Sequence, residues 1–490
     1  MVVLMNRNRD FSDYSSRIRQ GFSFGKFWRR LTPGQIVLTG FVLIAIIGMF
    51  LLMLPVSNVH GWWTNWLDAL FTSTSAVCVT GLVVLDTGTY WSLFGQIVII
   101  LLIQIGGLGF MTMMTFFFLA LGKRVTFHDR LLLQSSVNSS HVQGIIQFVK
   151  YILGSAFAIE AVGGILLSTV FIPQYGWGKG IWFGFWHSIS MYCNAGFDLI
   201  GGFQSFTGYV DNWTLSLTVC ALIVIGGLGF SVYVDLIEYF GSKLSMKKID
   251  DRKVYSKPVH ALSVHSKIVL VTTGVLIVGG AFTFYMLERS NPATMGNLSG
   301  SGKFLASLFQ SVTPRTAGAN TIDQAAMTSP SRLVTNVLMF IGGSPGSTAG
   351  GIKTTCIATI FITVWSVLMG KKRANCFHRE IPSMTIRRAM CVFTIGMAVV
   401  ILTFFIVMVN NPDLNSDFLL FEVFSAFDTV GLTCGVTTHL SSVSRMAIII
   451  AMMIGRVGPL TIASVLTSTE KRERKNEGQF KLPDGNILIG

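Results

Sequence analysis

The sequence predicts an all-α membrane protein: four M1–pore helix–M2 repeats, eight transmembrane helices in all, around a pseudo-fourfold pore. Three observations predict it. The 490 residues are 51% hydrophobic and only 12% charged, with a mean hydropathy of +0.61, whereas soluble proteins run about 25% charged. Eight stretches approach the length of about 20 mostly apolar residues that a crossing helix needs. One short pattern occurs four times, as Ser75-Ala-Val-Cys-Val-Thr-Gly81, Ser190-Met-Tyr-Cys-Asn-Ala-Gly196, Val312-Thr-Pro-Arg-Thr-Ala-Gly318 and Ser425-Ala-Phe-Asp-Thr-Val-Gly431. Its glycines are 115, 122 and 113 residues apart, the mark of one structural unit repeated along the chain.

The expected spans are Gln35–Val56, Trp91–Leu121, Ile145–Ile172, Leu215–Phe240, Ile268–Leu287, Leu333–Met369 with an interruption, Ala389–Val409 and Met446–Leu466. Within each repeat a short segment rich in Phe or Trp precedes the glycine: Trp63–Val77, Gly180–Tyr192, Gly302–Val312 and Asp417–Phe427. At 1.5 Å per residue these cannot cross a core of about 30 Å as helices, so they read as re-entrant pore helices. The resulting division is an N-terminal arm (1–30), repeats at 31–122, 145–241, 262–370 and 385–467, the third with an interrupted M2, and a tail (468–490). The longest stretch between repeats is too short to fold alone.

Net charge is +14, and its placement argues against nucleic acid as a partner. Basic residues cluster in the arm (Arg7 to Arg30), at Lys123, Arg124 and Arg130, in Lys243–Lys257, at Lys371–Arg373 with Arg379, Arg387 and Arg388, and in Lys471–Lys475. With paired spans, all fall on one side of the bilayer, which the positive-inside rule assigns to the cytoplasm together with both termini. The first span lies too deep in the chain for a cleaved signal peptide. Seven cysteines show no disulfide framework and no zinc spacing.

A partly dehydrated cation needs oxygens in place of its water, and consecutive backbone carbonyls supply them only with backbone angles that glycine tolerates. The candidate carbonyl donors are Val79, Thr80 and Gly81; Asn194, Ala195 and Gly196; Thr316, Ala317 and Gly318; and Thr429, Val430 and Gly431. Asp86, Asp198 and Asp428 near these glycines would concentrate cations, and Arg315 and Asp428, at equivalent positions, are a candidate ion pair. A second motif follows each filter glycine: Ile105-Gly-Gly-Leu-Gly109, Ile225-Gly-Gly-Leu-Gly229, Ile341-Gly-Gly-Ser-Pro-Gly346 and Ile454-Gly-Arg-Val-Gly458. The third copy extends through Gly343, Ser344, Pro345, Gly346, Ser347, Thr348, Ala349, Gly350 and Gly351 to Lys353. So many glycines and a proline break a helix, and a breakable segment below the filter suggests a gate whose backbone faces a wet cavity. It fails the phosphate-loop pattern because Ile352 separates Gly351 from Lys353. The fourth copy carries Arg456, a costly charge at this depth, suited to oppose cations or bond the carbonyls of the loop. Glu160 is a second intramembrane charge without an evident partner.

These residues resemble the Trk/Ktr/HKT superfamily of potassium transporters, most closely the Ktr membrane subunit, over about Leu31 to the C-terminus. The carriers are Thr80-Gly81-Leu82, Asn194-Ala-Gly196-Phe197-Asp198, Thr313-Pro-Arg-Thr-Ala-Gly318, Asp428-Thr-Val-Gly431-Leu432, Gly342–Lys353 and Gly455-Arg456-Val-Gly-Pro459. The resemblance implies potassium uptake in the plasma membrane, with potassium as substrate and no cofactor in this chain. It also implies a homodimer with one pore per subunit, a cytoplasmic ring of regulator subunits binding ATP or ADP, and sodium as a candidate activator. It assigns the gate to 343–351, the pore arginine to Arg456 and a dimer contact to Asn486–Gly490. Glycine rather than serine at position 81 favours potassium in this family. A sodium-permeable or sodium-coupled pore of the same fold is the alternative. An enzyme would need a convergent nucleophile and base, and His187 stands without one; a non-conducting scaffold would tolerate substitution of its filter glycines.

Overall fold

The computed structural model describes residues 33–109, 112, 145–246, 262–458 and 461. The basic N-terminal arm, the turn at Lys123–Arg130, most of Lys243–Lys257, the basic tail and Asn486–Gly490 lie outside the described residues. The chain is almost wholly helical; a two-residue hairpin, β1 (Asn375–Cys376) with β2 (Arg379–Glu380), is the one sheet among the described residues.

Each repeat has three helical parts. Repeat one is α1 (Pro33–Met53), α2 (Trp66–Cys78) and α3 (Leu93–Leu108). In repeat two, the first span and pore helix form one run, α4 (Ile145–Tyr192), which departs from helical geometry at Gly176 (φ 78°). A straight helix of that length would be about 70 Å, more than twice a bilayer core. Instead the run folds back on itself: Ser188 Oγ donates to the Glu160 carbonyl at 2.7 Å, and the Phe171 and Phe183 rings meet edge to face at 6.1 Å. Repeat two continues in α5 (Trp213–Leu228) and α6 (Phe230–Met246). Repeat three is α7 (Val264–Glu288), α8 (Gly300–Val312), α9 (Ser329–Phe340) and α10 (Thr354–Leu368). Repeat four is α11 (Ser383–Asn410), α12 (Ser416–Phe427) and α13 (Ser442–Val457).

Four described helices are long and apolar enough to cross a membrane, five if the bent pair of α5 and α6 counts as one span. The expectation of eight spans with a single interruption is corrected in one respect. The second helix of every repeat stops at the Gly-Gly motif, not only that of repeat three. Helices α3, α5 and α13 end at Leu108, Leu228 and Val457, each followed by a glycine with positive φ, 86° at Gly109 and 95° at both Gly229 and Gly458. Glycine takes this left-handed region at little cost, which ends a helix. After Gly229 the chain turns through 97° into α6. The first glycine of the motif has a packing reason. A Cβ on Gly106, Gly226 or Gly455 would overlap the carbonyl of Val77, Tyr192 or Phe427, the last turn of the pore helix of the same repeat. Small residues let the two helices close to backbone distance.

The repeats join in a ring by one recurring contact: the second helix of each repeat, or the residues just before it, reaches the pore helix of the next. Trp182 Nε1 and Trp186 Nε1 donate to Gln96, at 3.1 and 3.3 Å. Ser299 Oγ bonds Asp211 at 3.3 Å. Arg332 pairs with Asp417 at 2.7 Å under the Phe418 ring. Arg445 pairs with Asp68 at 2.7 Å and closes repeat four onto repeat one. Outward, Phe50, Leu101, Val278, Leu402 and Phe405 are exposed, as a surface that meets acyl chains requires.

The two charged joints, Arg332–Asp417 and Arg445–Asp68, are largely withdrawn from water, unlike the Arg373–Glu380 pair, whose side chains are 72% and 49% exposed. Breaking a buried pair leaves a stranded charge, while an exposed pair contributes little. Arg332→Ala is therefore expected to lower the thermal unfolding midpoint in detergent clearly, and Arg373→Ala to leave it near wild type. Fluorescence-detected thermal size exclusion on both variants measures this; equal shifts would contradict the ring.

Candidate ion filter and the loop beneath it

All four pore helices end immediately before the segments singled out in the sequence. Helix α2 stops at Cys78, α4 at Tyr192, α8 at Val312 and α12 at Phe427. Their C-terminal ends, which carry partial negative charge, therefore converge on one place. The chain then adopts the same irregular backbone four times. Val79, Asn194, Thr316 and Thr429 have φ of 58°, 60°, 68° and 51°, and Gly81, Gly196, Gly318 and Gly431 have φ of 93°, 70°, 75° and 97°. A positive φ is costly at Val and Thr, so the surroundings must hold it.

They do so by closely similar bonds. The amides of Thr80, Ala195 and Val430 bond back to the carbonyls of Ser75, Ser190 and Ser425 at 2.8, 2.7 and 2.8 Å, and Ala317 bonds to Thr313 at 3.0 Å. The hydroxyls of Ser75 and Ser425 accept from the amides of Gly81 and Gly431 at 3.1 and 3.0 Å. Ser190 donates to the Phe197 carbonyl at 2.7 Å, and Thr313 to that of Ala319. This latch was missed in the sequence, although the serine opens three of the four copies; its fixed distance from the glycine was the available signal.

The four segments meet in cyclic order. A Cβ on Gly81 would lie under 3.0 Å from the Ala195 carbonyl, one on Gly196 from that of Ala317, one on Gly318 from that of Val430, and one on Gly431 from that of Thr80. All twelve candidate residues are thus brought together, and all are buried. None of their twelve carbonyls accepts a hydrogen bond from any described residue, which is unusual for buried backbone.

The mouth acids Asp86 and Asp198 are each held by backbone amides. Asp86 caps its own loop, accepting from Gly88 and Thr89 at 2.9 and 3.0 Å and from Phe203 at 2.8 Å. Asp198 accepts from Ile200 at 3.0 Å. Arg315 and Asp428 form no pair. Arg315 bonds Thr273 Oγ1 at 3.2 Å, in the first span of its own repeat, while Asp428 reaches into repeat three and accepts from the Ile352 amide at 3.4 Å.

The interrupted segment of repeat three lies directly beneath. Ile341 and Ile352 bridge its two ends. Part of its backbone is bonded to protein, and Pro345, Gly346 and Gly351 face a cavity. Ser344 and Thr348 amides donate to Gly227 and Gly226 at 3.0 and 3.2 Å, and the Gly346 carbonyl accepts from Phe230 at 2.8 Å. Lys353 Nζ donates to the Ala349 and Gly350 carbonyls at 2.8 and 2.9 Å. Arg456, from α13, donates to the Thr348 carbonyl and to that of Gly106, with Gly107 at 3.3 Å. It thereby ties repeats one, three and four together. Gly350 and Gly351 lie against Thr429 and Asp428, leaving no room for a Cβ. Below the loop opens a cavity of about 1130 Å³ lined by Pro345, Gly346, Gly351, Lys353 and Val457 among others.

Two further groups are placed. Glu160 accepts from Gln104 Nε2 at 3.0 and 3.2 Å, so its partner is an amide of α3 rather than a cation. His187 is bonded to backbone on both ring nitrogens, to the Phe183 carbonyl at 2.7 Å and the Leu199 amide at 3.1 Å, and no nucleophile approaches it among the described residues.

Comparison with known proteins agrees with this architecture. Residues 32–475 match the family model described as TrkH, cation transport protein. The chain is 39% identical over 465 residues to the potassium/sodium uptake protein NtpJ of Enterococcus hirae, covering 94% of this chain and 98% of that one. It is equally similar, at 39% over 465 residues with the same coverage, to the Ktr system potassium uptake protein B of Bacillus subtilis. Among solved structures it matches the potassium transporter TrkH of Vibrio parahaemolyticus with a TM-score of 0.69 at 16% identity, over 90% of this chain and 86% of that one. That likeness speaks to the fold. These relatives are transport proteins, not enzymes. The chain belongs to the TrkH family of cation transport proteins and is a multi-pass membrane protein of potassium/cation uptake.

Proposed function

We propose that the fourfold ring at Gly81, Gly196, Gly318 and Gly431 is a potassium-selective filter, and that residues 343–351 with Arg456 form the gate beneath it. The observation that carries this reading is the ring of twelve buried carbonyls without hydrogen-bond donors. Buried acceptors need partners, and a partly dehydrated cation on the ring axis supplies one to several carbonyls at once. Four pore helices ending at the ring add favourable partial negative charge. With a negative-inside potential worth about 2.3 kcal/mol per charge per 100 mV, uptake requires no fuel site in this chain.

The gate reading is supported by position and charge. The loop packs against the filter strands at Asn194, Asp428 and Thr429, held by Arg456 and Lys353, and these two cationic groups would oppose a cation on its way through. The distribution of Lys and Arg supports a plasma-membrane orientation with both termini in the cytoplasm. The likeness to Ktr system proteins supports a homodimer and a separate cytoplasmic regulator ring that binds ATP or ADP, acting on the gate from below. The second reading, a sodium-permeable or sodium-activated pore, is favoured by one observation, the potassium/sodium designation of the Enterococcus relative.

Rubidium uptake into liposomes containing the purified protein, with and without sodium, separates the two: the filter reading expects rubidium to enter and sodium to compete poorly, and equal passage of sodium would overturn it. Gly81→Ser and Gly431→Ser place a side chain against a neighbouring filter carbonyl at positive φ, so both are expected to lose most rubidium uptake or its discrimination against sodium. Wild-type selectivity in both would refute the ring as the filter. Deletion of 343–351, and Arg456→Ala, are each expected to raise rubidium flux in protein that retains its oligomeric state; unchanged or reduced flux in both would count against the gate.

A further inference from the structure

Among the described residues, one side chain-to-side chain hydrogen bond joins the twelve filter residues to the loop 343–351, and it lies in repeat two. Asn194 is 1% exposed and sits at the first filter position with φ 60°. Its Nδ2 donates to the Arg315 carbonyl at 3.3 Å and approaches Thr316 Oγ1 at 3.4 Å, both on the neighbouring filter strand. Its Oδ1 accepts from Thr348 Oγ1 at 3.2 Å, in the loop. Thr348 is wholly buried, shares its hydroxyl with the Tyr192 carbonyl at 3.2 Å, and offers its own carbonyl to Arg456. The equivalent positions in the other repeats are Val79, which has no polar side chain, Thr316, which serves Asn194, and Thr429, whose hydroxyl has no partner.

We propose that Asn194 is a positioning residue that couples the loop to the filter, so that ion discrimination depends on where the loop is. The inference rests on the filter and gate reading above and adds to it a specific link. Ion passage requires the loop to leave the axis, and Thr348 cannot leave without releasing Asn194. The side chain that ties filter strands two and three together then loses its lower anchor, and the carbonyl of Asn194 and those of the third strand are free to readjust. Coupling of this kind is reciprocal: an ion that fits the ring stabilises one Asn194 geometry and thereby biases the loop. A merely structural Asn194 would alter stability or rate but would leave discrimination insensitive to Thr348, which touches no filter carbonyl.

The test measures, in liposomes, the sodium concentration that halves rubidium uptake. It compares wild type, Thr348→Ser, Thr348→Val, Asn194→Leu, the Thr348→Val/Asn194→Leu double variant, and the protein lacking 343–351. Thr348→Val and Asn194→Leu are each expected to shift that concentration by about three- to tenfold, the range that one buried hydrogen bond commands. The double variant should shift it no further than the larger single change, and Thr348→Ser, which keeps the hydroxyl, should stay within about twofold of wild type. If Thr348→Val does not fold, the loop deletion carries the test, because it removes the same anchor and must show the Asn194→Leu shift. A Thr348→Val protein or a loop deletion that changes rubidium rate with wild-type sodium sensitivity overturns the coupling while leaving the gate intact. Single effects that multiply in the double variant overturn it as well. Absence of rubidium selectivity in wild type would instead remove the filter reading itself.

Discussion

Twelve backbone carbonyls, buried together and bonded to no donor among the described residues, are the constraint on which the rest of this molecule depends. Such a ring is unfavourable in isolation, because each acceptor has surrendered water without gaining a partner. It persists only where the surrounding chain holds it against collapse. The positive φ at Val79, Asn194, Thr316 and Thr429 sets the same irregular backbone in all four segments. The bonds from Thr80, Ala195, Ala317 and Val430 back to the pore helices use the amides and leave the carbonyls open. In repeats one, two and four the first glycine of the lower motif brings the second helix to backbone distance of the pore helix, and in repeat three Gly342 packs against the loop's own Gly350. On the proposed reading, the missing partner is the transported ion.

The outer frame and the inner layer obey different rules. Around the circumference, four equivalent joints connect each repeat with the next, through Gln96, Asp211, Arg332 and Arg445. This arrangement is close to fourfold, as a ring of equal carbonyls needs. Directly beneath the ring the symmetry is abandoned. Repeat two contributes the Gly226 and Gly227 carbonyls, repeat three a loop that bonds to them, and repeat four Arg456, which bonds both that loop and the Gly106 carbonyl of repeat one. A charge at this depth costs about 2.5–3.5 kcal/mol on insertion, and here it is offset by three carbonyls. The loop is thus a latch made of hydrogen bonds, broken and remade without moving the frame.

Much of this was legible in the sequence, for identifiable reasons. Hydropathy and the period of the glycine motifs gave the repeats, and segments too short to cross gave the pore helices to within a few residues. The twelve candidate positions that the structure brings together followed from the glycine at one fixed place in each copy, which permits an irregular backbone there. What escaped was set by tertiary contact. Nothing local tells that Gly109, Gly229 and Gly458 end their helices, since Gly-Gly-Leu-Gly is equally good small-residue packing. The Arg315–Asp428 pair was inferred from equivalent sequence positions, but equivalent positions in a fourfold ring point to different neighbours. The partner of Glu160, Gln104, lies in another repeat, beyond any local pattern.

Crystals or frozen grids prepared with rubidium in place of potassium test the central claim most directly, by locating the ion. A peak on the axis of the ring, within coordinating distance of carbonyls contributed by all four of the segments ending at Gly81, Gly196, Gly318 and Gly431, is the predicted result. A protein that transports rubidium yet shows the ion elsewhere, with these carbonyls unoccupied or bonded to protein donors, would contradict it.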